Sequence, residues 1–224
     1  MTQHVLAVFP HPDDETLGKA GTVAMYVQAG ASATLICATL GQMGRNMGKP
    51  FFANRETLPL IRERELRAAC EVLGFGDLRL LGLRDKTLEF EDRDALADQI
   101  WRVMKETAPS IVLTYYPEHG VHPDHDALSA ATVEAVRRLP SQERPVVYGS
   151  AVTRDAADVL GPPDMVSDVT DVLDVKLAAM RAHRSQTESM MEQIEEQLRV
   201  DPTLRDGLGA LLWKEKFWIV PVSP

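Results

Sequence analysis

The chain has 224 residues, 45% of them hydrophobic and 25% charged, and its formal net charge is −9. These values are typical of a globular protein and exclude disordered and collagen-like classes, and no apolar run reaches the roughly 18 residues that a membrane helix needs. The negative charge also argues against a nucleic-acid partner, because phosphate binding depends on a basic surface. No basic-then-apolar leader follows Met1, so we expect one cytoplasmic domain over residues 1–224.

Short apolar, β-branched runs alternate with helical patterns along the chain. The predicted strands are Val5–Phe9, Ala33–Leu40, Leu78–Leu81, Ile111–Tyr115 and Val146–Val152, and the predicted helices are Leu17–Ala29, Leu58–Leu73, Asp94–Glu106, Asp126–Arg138 and Val172–Arg184. Further on, Glu188–Arg199 is predicted as a solvated helix and Phe217–Val220 as a late edge strand. This alternation, with almost wholly apolar strands, predicts a three-layer α/β fold with a mainly parallel sheet.

Two cysteines are too few for a disulfide framework or a thiolate zinc site. Cys37 lies in an apolar strand-like run and Cys70 on the apolar face of a predicted helix. We therefore expect both to be small buried hydrophobic residues.

The motif His-Pro-Asp occurs twice, in HPDDE at residues 11–15 and in HPDHD at residues 122–126. The first copy follows the first predicted strand, and the second lies a short loop beyond the fourth. In open α/β sheets, ligands bind beyond the carboxyl ends of the strands. The two motifs are therefore expected to meet in one cleft, although they are far apart in sequence.

Helix capping is the structural alternative for the acidic residues of both motifs. Carboxylates before a helix bind its free N–H groups, and Pro12 and Pro123 suit helix entry. Capping does not account for the histidines, because three of the six in the chain lie in the segment PEHGVHPDHD. A joint site of His11, a carboxylate and either His122 or His125 would have two histidines and one carboxylate, the ligand type of catalytic zinc.

Such a ligand set leaves one position of a tetrahedral zinc ion for water, whereas a structural zinc site takes four protein ligands. Zinc lowers the pKa of a bound water molecule to about 7, so a neighbouring carboxylate can accept its proton at neutral pH. The two adjacent aspartates of the first motif can then divide the work, because one binds the metal and the other acts as the base.

With these motifs the sequence resembles the PIG-L/LmbE-type zinc-dependent N-deacetylases, which remove acetyl groups from N-acetylglucosamine conjugates and have a Rossmann-like fold. The resemblance covers most of the chain, including RERELRAACEVLG and AHRSQT. The segments LGQMGRNMGKPFFANRETLP and LGLRDKTLEFED are most similar to the bacillithiol-biosynthesis branch, which acts on N-acetylglucosaminyl malate. One departure is Ala20 before Gly21, where the family usually has two glycines; alanine would not suit a positive φ there.

Residue by residue, the resemblance implies three zinc ligands, which are His11, Asp14 and His125. It implies that Asp13 is the general base that activates the attacking water. It further implies that His122, as a cation, stabilises the tetrahedral oxyanion, and that Asp124 orients and charges His122.

The resemblance also places residues on the substrate side of the cleft. Arg62 matches the arginine that meets the aglycone and would suit the malate carboxylates; the alternative is a helix-face pair with Glu65. Arg45 and Asn46 follow the second strand, where they either contact sugar or malate or belong to an ordered loop without a ligand. His183 matches a recurring feature of the family, which we interpret as support for the site or as packing.

The sequence thus predicts a zinc hydrolase that removes the acetyl group of an N-acetylglucosaminyl conjugate, with N-acetylglucosaminyl malate as the expected substrate. Two alternatives are a deacetylase or amidase for another acetamido sugar or thiol conjugate, and a non-catalytic metal-binding α/β module. The same ligands also accept Fe²⁺ and other divalent metals. Relatives often assemble as trimers or hexamers, which implies a homo-oligomer here.

Overall fold

The computed structural model describes residues 3–201, 203 and 210–222. Its strands are β1 (His4–Phe9), β2 (Ser32–Thr39), β3 (Asp77–Leu83), β4 (Ile111–Tyr115), β5 (Val146–Ser150), β6 (Met165–Asp168) and β7 (Lys214–Ile219). They form one seven-stranded sheet in the order β3-β2-β1-β4-β5-β7-β6. The first five strands are parallel, and β7 is antiparallel to β5 and β6. The predicted mainly parallel sheet is confirmed.

The order of the strands brings two distant loops together. β1 pairs in parallel with β2 on one side and with β4 on the other, so the carboxyl ends of β1 and β4 lie next to each other. From β1 the chain adds β2 and β3 on one side of this strand and then returns to place β4 on its other side. Open α/β sheets bind ligands at such a switch point in strand order. The loops after Phe9 and Tyr115, which lead to the two His-Pro-Asp motifs, therefore meet.

Helices cover both faces of the sheet. They are α1 (Ala20–Gln28), α2 (Leu58–Leu73), α3 (Arg93–Thr107), α4 (Pro123–Arg137), α5 (Ala156–Leu160), α6 (Leu173–Ala182), α7 (Arg184–Val200) and α8 (Ala210–Trp213). One buried cluster packs α1, α2 and α6 against one face, and a second packs α3 and α4 against the other. The predicted three-layer α/β fold is confirmed. Within the described ranges, no helix is long and apolar enough to cross a membrane.

The strands are apolar because they are buried on both faces. Along β1, Val5 and Ala7 belong to one cluster while Leu6 and Val8 belong to the other, and all four are fully buried. The two cysteines are buried and free, as expected. Burial raises the pKa of the Cys70 thiol to about 12, so this side chain behaves as a hydrophobic residue.

The C-terminal part of the chain differs from the prediction. The expected edge strand is β7, but it lies between β5 and β6, so the edge position was wrong. β6 and α5 were not predicted, because segments of four and five residues are too short to show a hydrophobic period. Helix α7 begins at Arg184, and buried side chains such as Met191 and Ile194 line one of its faces, so the predicted solvated helix is only partly solvated.

A carboxylate from the other end of the chain binds the N-terminus of α1. Glu215 in β7 accepts hydrogen bonds from the backbone N–H groups of Gly21 (3.1 Å) and Thr22 (2.7 Å). Lys176 in α6 pairs with the same carboxylate at 2.8 Å, and both side chains are buried. The negative charge thus meets two favourable partners, the helix dipole and an ammonium group.

The alanine at position 20 does not disturb this helix start. Ala20 is the first residue of α1 and is not among the residues with positive φ, so the departure from the family pattern has no conformational cost. The glycine that matters is Gly21, because a Cβ atom there would lie 2.5 Å from side-chain atoms of Val169.

We predict that Lys176→Met destabilises the protein by about 3–5 kcal/mol, because it leaves the Glu215 carboxylate buried without its ammonium partner. Denaturant unfolding measures the change. The matched control is Lys49→Met, which breaks the exposed ion pair with Glu192 and should change stability little. Equal losses in the two variants would show that the buried pair has no special role.

Candidate metal centre

The first His-Pro-Asp motif lies in a tight turn and not at the start of a helix. The N–H groups of Thr16 and Leu17 bond to the carbonyl of Asp13, Gly18 has φ +80°, and α1 begins only at Ala20. The acids at positions 13–15 therefore do not cap α1, whose N-terminus binds a glutamate of β7 instead. Helix capping, the structural alternative for the first motif, is excluded.

The three predicted metal ligands converge. His11 Nδ1 lies 3.2 Å from Asp14 Oδ2 and 3.3 Å from His125 Nε2, and His125 Nε2 lies 3.4 Å from Asp14 Oδ1. A tetrahedral zinc ion with bonds of roughly 2.0–2.1 Å places its ligand atoms about 3.3 Å apart. The three residues can therefore offer one ligand atom each to a single zinc ion, and all three line the cavity described below.

Hydrogen bonds fix the orientation of two of these ligands. His125 Nδ1 lies 2.7 Å from the carbonyl oxygen of Gly120, so Nδ1 carries the proton and Nε2 has the free lone pair that a metal needs. Tyr115 donates its hydroxyl to Asp14 Oδ1 at 2.6 Å and stacks on the His125 ring with centroids 4.0 Å apart. The ligand atoms are thus positioned by the last residue of β4 and by the backbone of the loop that follows it.

The role expected for the Asp124 carboxylate is wrong. One of its oxygens, Oδ2, lies 3.0 Å from His11 Nε2, and the N–H groups of Lys86 and Leu88 donate to its two oxygens at 2.7 and 3.0 Å. The contact with His122 runs through the backbone N–H of Asp124. Asp124 therefore orients the metal-ligand candidate His11, as carboxylates commonly do behind a metal-binding histidine.

His122 also has a contact that the sequence did not predict. Its Nδ1 accepts the backbone N–H of Asp124 at 3.1 Å, so His122 is the N-cap of α4, and the expectation that capping accounts for none of the histidines was wrong. In this arrangement Nε2 is the ring nitrogen of His122 that is free to donate a hydrogen bond. His122 lines the cavity described below, so its Nε2 can donate a hydrogen bond there.

The charges around the ligands favour a cation at this position. Burial alone would lower the pKa of His11, but hydrogen bonds to Asp124, Asp14 and Asp85 raise it to about 11. Burial alone would raise the pKa of Asp14, but His125 and His11 hold it far below its usual range. The carboxylates around His11 thus favour positive charge at this position, and they would likewise stabilise a divalent cation held by these ligands.

Asp13 differs electrostatically from its neighbour. Burial raises the pKa of Asp13 to about 6 against the opposing effect of Arg62, whose Nη2 lies 3.1 Å from Asp13 Oδ2. A carboxylate with a pKa near the working pH is suited to proton transfer. Asp13 and Asp14 are therefore adjacent in sequence but suited to different tasks.

The candidate ligands lie at the base of an open cavity of about 320 Å³. Its wall combines the residues of the two motifs, namely His11, Asp13, Asp14, His122 and His125, with three cationic side chains, namely Arg45, Arg62 and Lys86. Cavities of this size hold small-molecule ligands. The structure thus brings the predicted ligand and catalytic side chains to one place, with room for a sugar-sized group.

Arg62 does not have the partners that the sequence suggested. Its guanidinium bonds to the carbonyl of Gly41 at 3.0 Å, to the carbonyl of Pro12 and to Asp13, and it is only 3% exposed. Glu65 instead accepts the N–H and hydroxyl of Ser185 at 2.7 and 2.6 Å, so the alternative Arg62–Glu65 pair is not formed. Arg62 is occupied in holding Asp13, which disfavours the expected grip on malate.

Arg45 and Asn46 lie on the loop between β2 and α2 but in different surroundings. Arg45 is exposed and lines the cavity. Asn46 lines an adjoining cavity, and its amide donates to the Gln186 carbonyl at 3.0 Å, while the Gln186 amide donates to the Asn46 carbonyl at 3.1 Å. Asn46 therefore fastens the loop to α7, which differs from the expected contact with substrate.

Several supporting residues escaped the sequence reasoning. Asp85 lies 3.3 Å from His11 Nε2, and Lys19 is fully buried with its ammonium 3.9 Å from the centre of the Tyr115 ring. Asp85 lies within the segment LGLRDKTLEFED, which carried a family resemblance but no residue role. The position of Lys19, four residues after the last acid of the first motif, is a signal that it balances the charge of these acids. Burial lowers the pKa of Lys19 to about 8.

Comparison with known proteins defines the class that this fold and site represent. Residues 6–136 match the family described as "PIG-L: GlcNAc-PI de-N-acetylase", and the chain belongs to this family. The solved structure of N,N'-diacetylchitobiose deacetylase from Pyrococcus horikoshii aligns with 98% of this chain and 84% of its own, with a TM-score of 0.73 and 26% identity. The family resemblance and its fold are therefore confirmed.

Two curated relatives are similar over nearly the whole chain. A Bacillus cereus protein named "Probable N-acetyl-alpha-D-glucosaminyl L-malate deacetylase 2" is 51% identical and aligns with 97% of this chain and 98% of its own length. A Bacillus subtilis protein of the same name is 52% identical, with 89% and 90% covered. The similarity to the N-acetylglucosaminyl malate branch, expected from two loop segments, is confirmed.

Metal titration tests the assignment of ligands and of Asp124. We predict that His125→Ala loses a ligand and retains little zinc after mild chelation, whereas His122→Ala retains about one ion per chain. Asp124→Ala should weaken zinc affinity roughly 10- to 100-fold, because it releases His11 from its orienting hydrogen bond. Full zinc occupancy in His125→Ala, or an Asp124→Ala affinity equal to wild type, would contradict the assignment.

Proposed function

We propose that this protein is a zinc-dependent N-deacetylase whose substrate is N-acetylglucosaminyl malate. The observation that carries the proposal is the convergence of His11, Asp14 and His125, whose side chains approach one another pairwise at 3.2–3.4 Å, beside the cavity-lining carboxylate of Asp13. The substrate follows from the two relatives that are about half identical over almost the full chain. The reaction converts the acetamide and water into acetate and a free amine.

The ligand set matches the metal chemistry that amide hydrolysis needs. Two histidines and one carboxylate are a catalytic zinc set, and Fe²⁺ can occupy the same ligands. When bound there, the ion would supply Lewis acidity, which polarises the acetamide carbonyl and makes a water molecule more acidic. The protein contributes the orientation of its ligands through Asp124, Tyr115 and the Gly120 carbonyl.

Asp13 is the proposed general base. It takes a proton from the water that attacks the acetyl carbon, and that proton is available for the leaving amine when the C–N bond breaks. The Arg62 guanidinium fixes the Asp13 carboxylate at 3.1 Å, while burial keeps its proton affinity high enough for this transfer. His122 donates its Nε2 proton in a hydrogen bond to the oxyanion that forms on the acetyl oxygen.

Two exposed cations are proposed to bind the acidic part of the substrate. L-Malate has two carboxylates, and both Arg45 and Lys86 are exposed side chains in the cavity wall. The backbone N–H of Lys86 is bonded to the Asp124 carboxylate at 2.7 Å, which fixes this residue relative to the metal site. Charge-assisted hydrogen bonds to Arg45 and Lys86 would hold the malyl group at the mouth while the acetamide reaches the ligands.

The trimeric or hexameric assembly stays a prediction from the family resemblance, and the cytoplasmic location stays a prediction from the sequence pattern. They do not enter the chemistry proposed above, because the residues that carry it come from one chain.

Asp13→Asn tests the general base. We expect the variant to bind zinc normally, because the amide replaces a group outside the ligand set, and to lose at least about 100-fold in kcat. Acetate release from N-acetylglucosaminyl malate, by enzyme of measured zinc content, provides the comparison. Near-normal turnover would show that another group is the base.

Arg45→Met and Lys86→Met test recognition of the malyl carboxylates. For N-acetylglucosaminyl malate we expect each variant to lower kcat/KM roughly 10-fold or more, since each removes a charge-assisted hydrogen bond. For methyl N-acetylglucosaminide, whose aglycone is neutral, kcat/KM should stay close to the wild-type value. Arg84→Met is the control, because Arg84 is also exposed but lines a different cavity. Equal losses on both substrates would contradict this role.

A further inference from the structure

His183 is a buried histidine without a role in the chemistry described so far. It lies at the junction of α6 and α7 and is 0% exposed, and its Nε2 is hydrogen-bonded to Oε1 of Glu15, which is equally buried. Burial alone would lower the pKa of His183, but the Glu15 carboxylate raises it. The two side chains therefore form a buried, hydrogen-bonded pair that connects the first motif to the α6–α7 junction.

The second oxygen of Glu15 reaches the backbone of the proposed base. Glu15 Oε2 accepts the N–H of Asp13 at 3.0 Å. Asp13 has φ +105°, a conformation that L residues rarely adopt and that persists only where surrounding groups enforce it. Glu15 is thus a group that holds Asp13 in this conformation, and His183 holds Glu15.

We propose that His183 is a positioning residue for Asp13, acting through Glu15 on the Asp13 backbone. The inference rests on the proposed function only in taking Asp13 as the base. Arg62 holds the carboxylate of Asp13 from one side, and the His183–Glu15 pair holds its main chain from another. With both ends of the residue fixed, the carboxylate is presented to the cavity in one orientation.

The pair acts at a distance from the substrate. Neither His183 nor Glu15 belongs to the residues that line the cavity, whereas Asp13 does. Loss of the pair should therefore affect the rate of the chemical step and leave substrate binding nearly unchanged. A shift of about 1 Å in a reacting group can reduce the rate of an enzyme about 100-fold.

His183→Asn and His183→Gln form the matched test. The glutamine amide reaches about as far as Nε2 of His183 and can donate a hydrogen bond to Glu15. Glutamine has no counterpart of the histidine Nδ1, but that atom has no hydrogen-bond partner among the described residues. The asparagine amide is too short to reach. We expect His183→Asn to lower kcat about 10- to 100-fold with little change in KM or zinc content, and His183→Gln to recover most of the loss.

Thr187→Val controls for disturbed packing at the same helix junction. Thr187 is 2% exposed and donates its hydroxyl to the carbonyls of Met180 and His183. This variant should melt at a lower temperature yet keep kcat within about threefold of wild type. If it lowers kcat as much as His183→Asn does, the effect is one of packing and the proposal is wrong.

A double-mutant cycle isolates the route through Asp13. If His183 acts only by placing this carboxylate, His183→Asn should cause no further loss of kcat in the Asp13→Asn background. Additive losses in the double variant would overturn the proposal, because His183 would then affect the reaction by another route.

Crystal structures of the purified variants give a readout that does not depend on activity. We expect the Asp13 N–H···Glu15 contact and the positive φ of Asp13 to persist in His183→Gln and to be lost in His183→Asn. An unchanged Asp13 in His183→Asn would overturn the inference. If wild-type enzyme loaded with zinc hydrolyses no N-acetylglucosaminyl compound, the proposed function fails, while the structures still decide the positioning role.

Discussion

The parallel pairing of β1 with β4 is the constraint on which the whole candidate site depends. The loop after β1 supplies His11 and Asp14, and the first turn of α4, which follows the loop after β4, supplies His125. If β4 paired elsewhere in the sheet, neither loop would have enough ligands to bind a metal ion. Both strands are buried by helices on their two faces, so the hydrophobic burial that stabilises the sheet also keeps the ligands in register.

The site concentrates acidic groups, and each has a partner that makes its burial tolerable. Asp14 faces two histidines and a tyrosine hydroxyl, Asp13 faces an arginine, and Asp124 accepts two backbone N–H groups in addition to a histidine. A buried carboxylate without such partners would be protonated or would destabilise the fold. The same contacts hold the groups in fixed orientations, which is the preorganisation that electrostatic catalysis requires.

Support for the first motif comes from parts of the chain that are remote in sequence. Glu215 binds the N-terminus of α1, the helix that follows the motif, and Lys176 balances its charge. The α6–α7 junction supplies His183 to Glu15 and Ser185 to Glu65. The C-terminal third of the chain, whose elements were predicted least well, thus contributes to the rigidity of the site and not only to the sheet.

The sequence by itself determined the local features of this protein. Apolar runs located the first five strands, and the residue types in the two motifs indicated candidate metal ligands, because both signals are contained in short windows. Only the tertiary structure decided the partners: Asp124 with His11 instead of His122, and Arg62 with Asp13 instead of Glu65. The partners in each observed pair are distant in sequence, and each pair also depends on the direction in which a side chain points. Both are therefore defined only when the sheet brings these segments together.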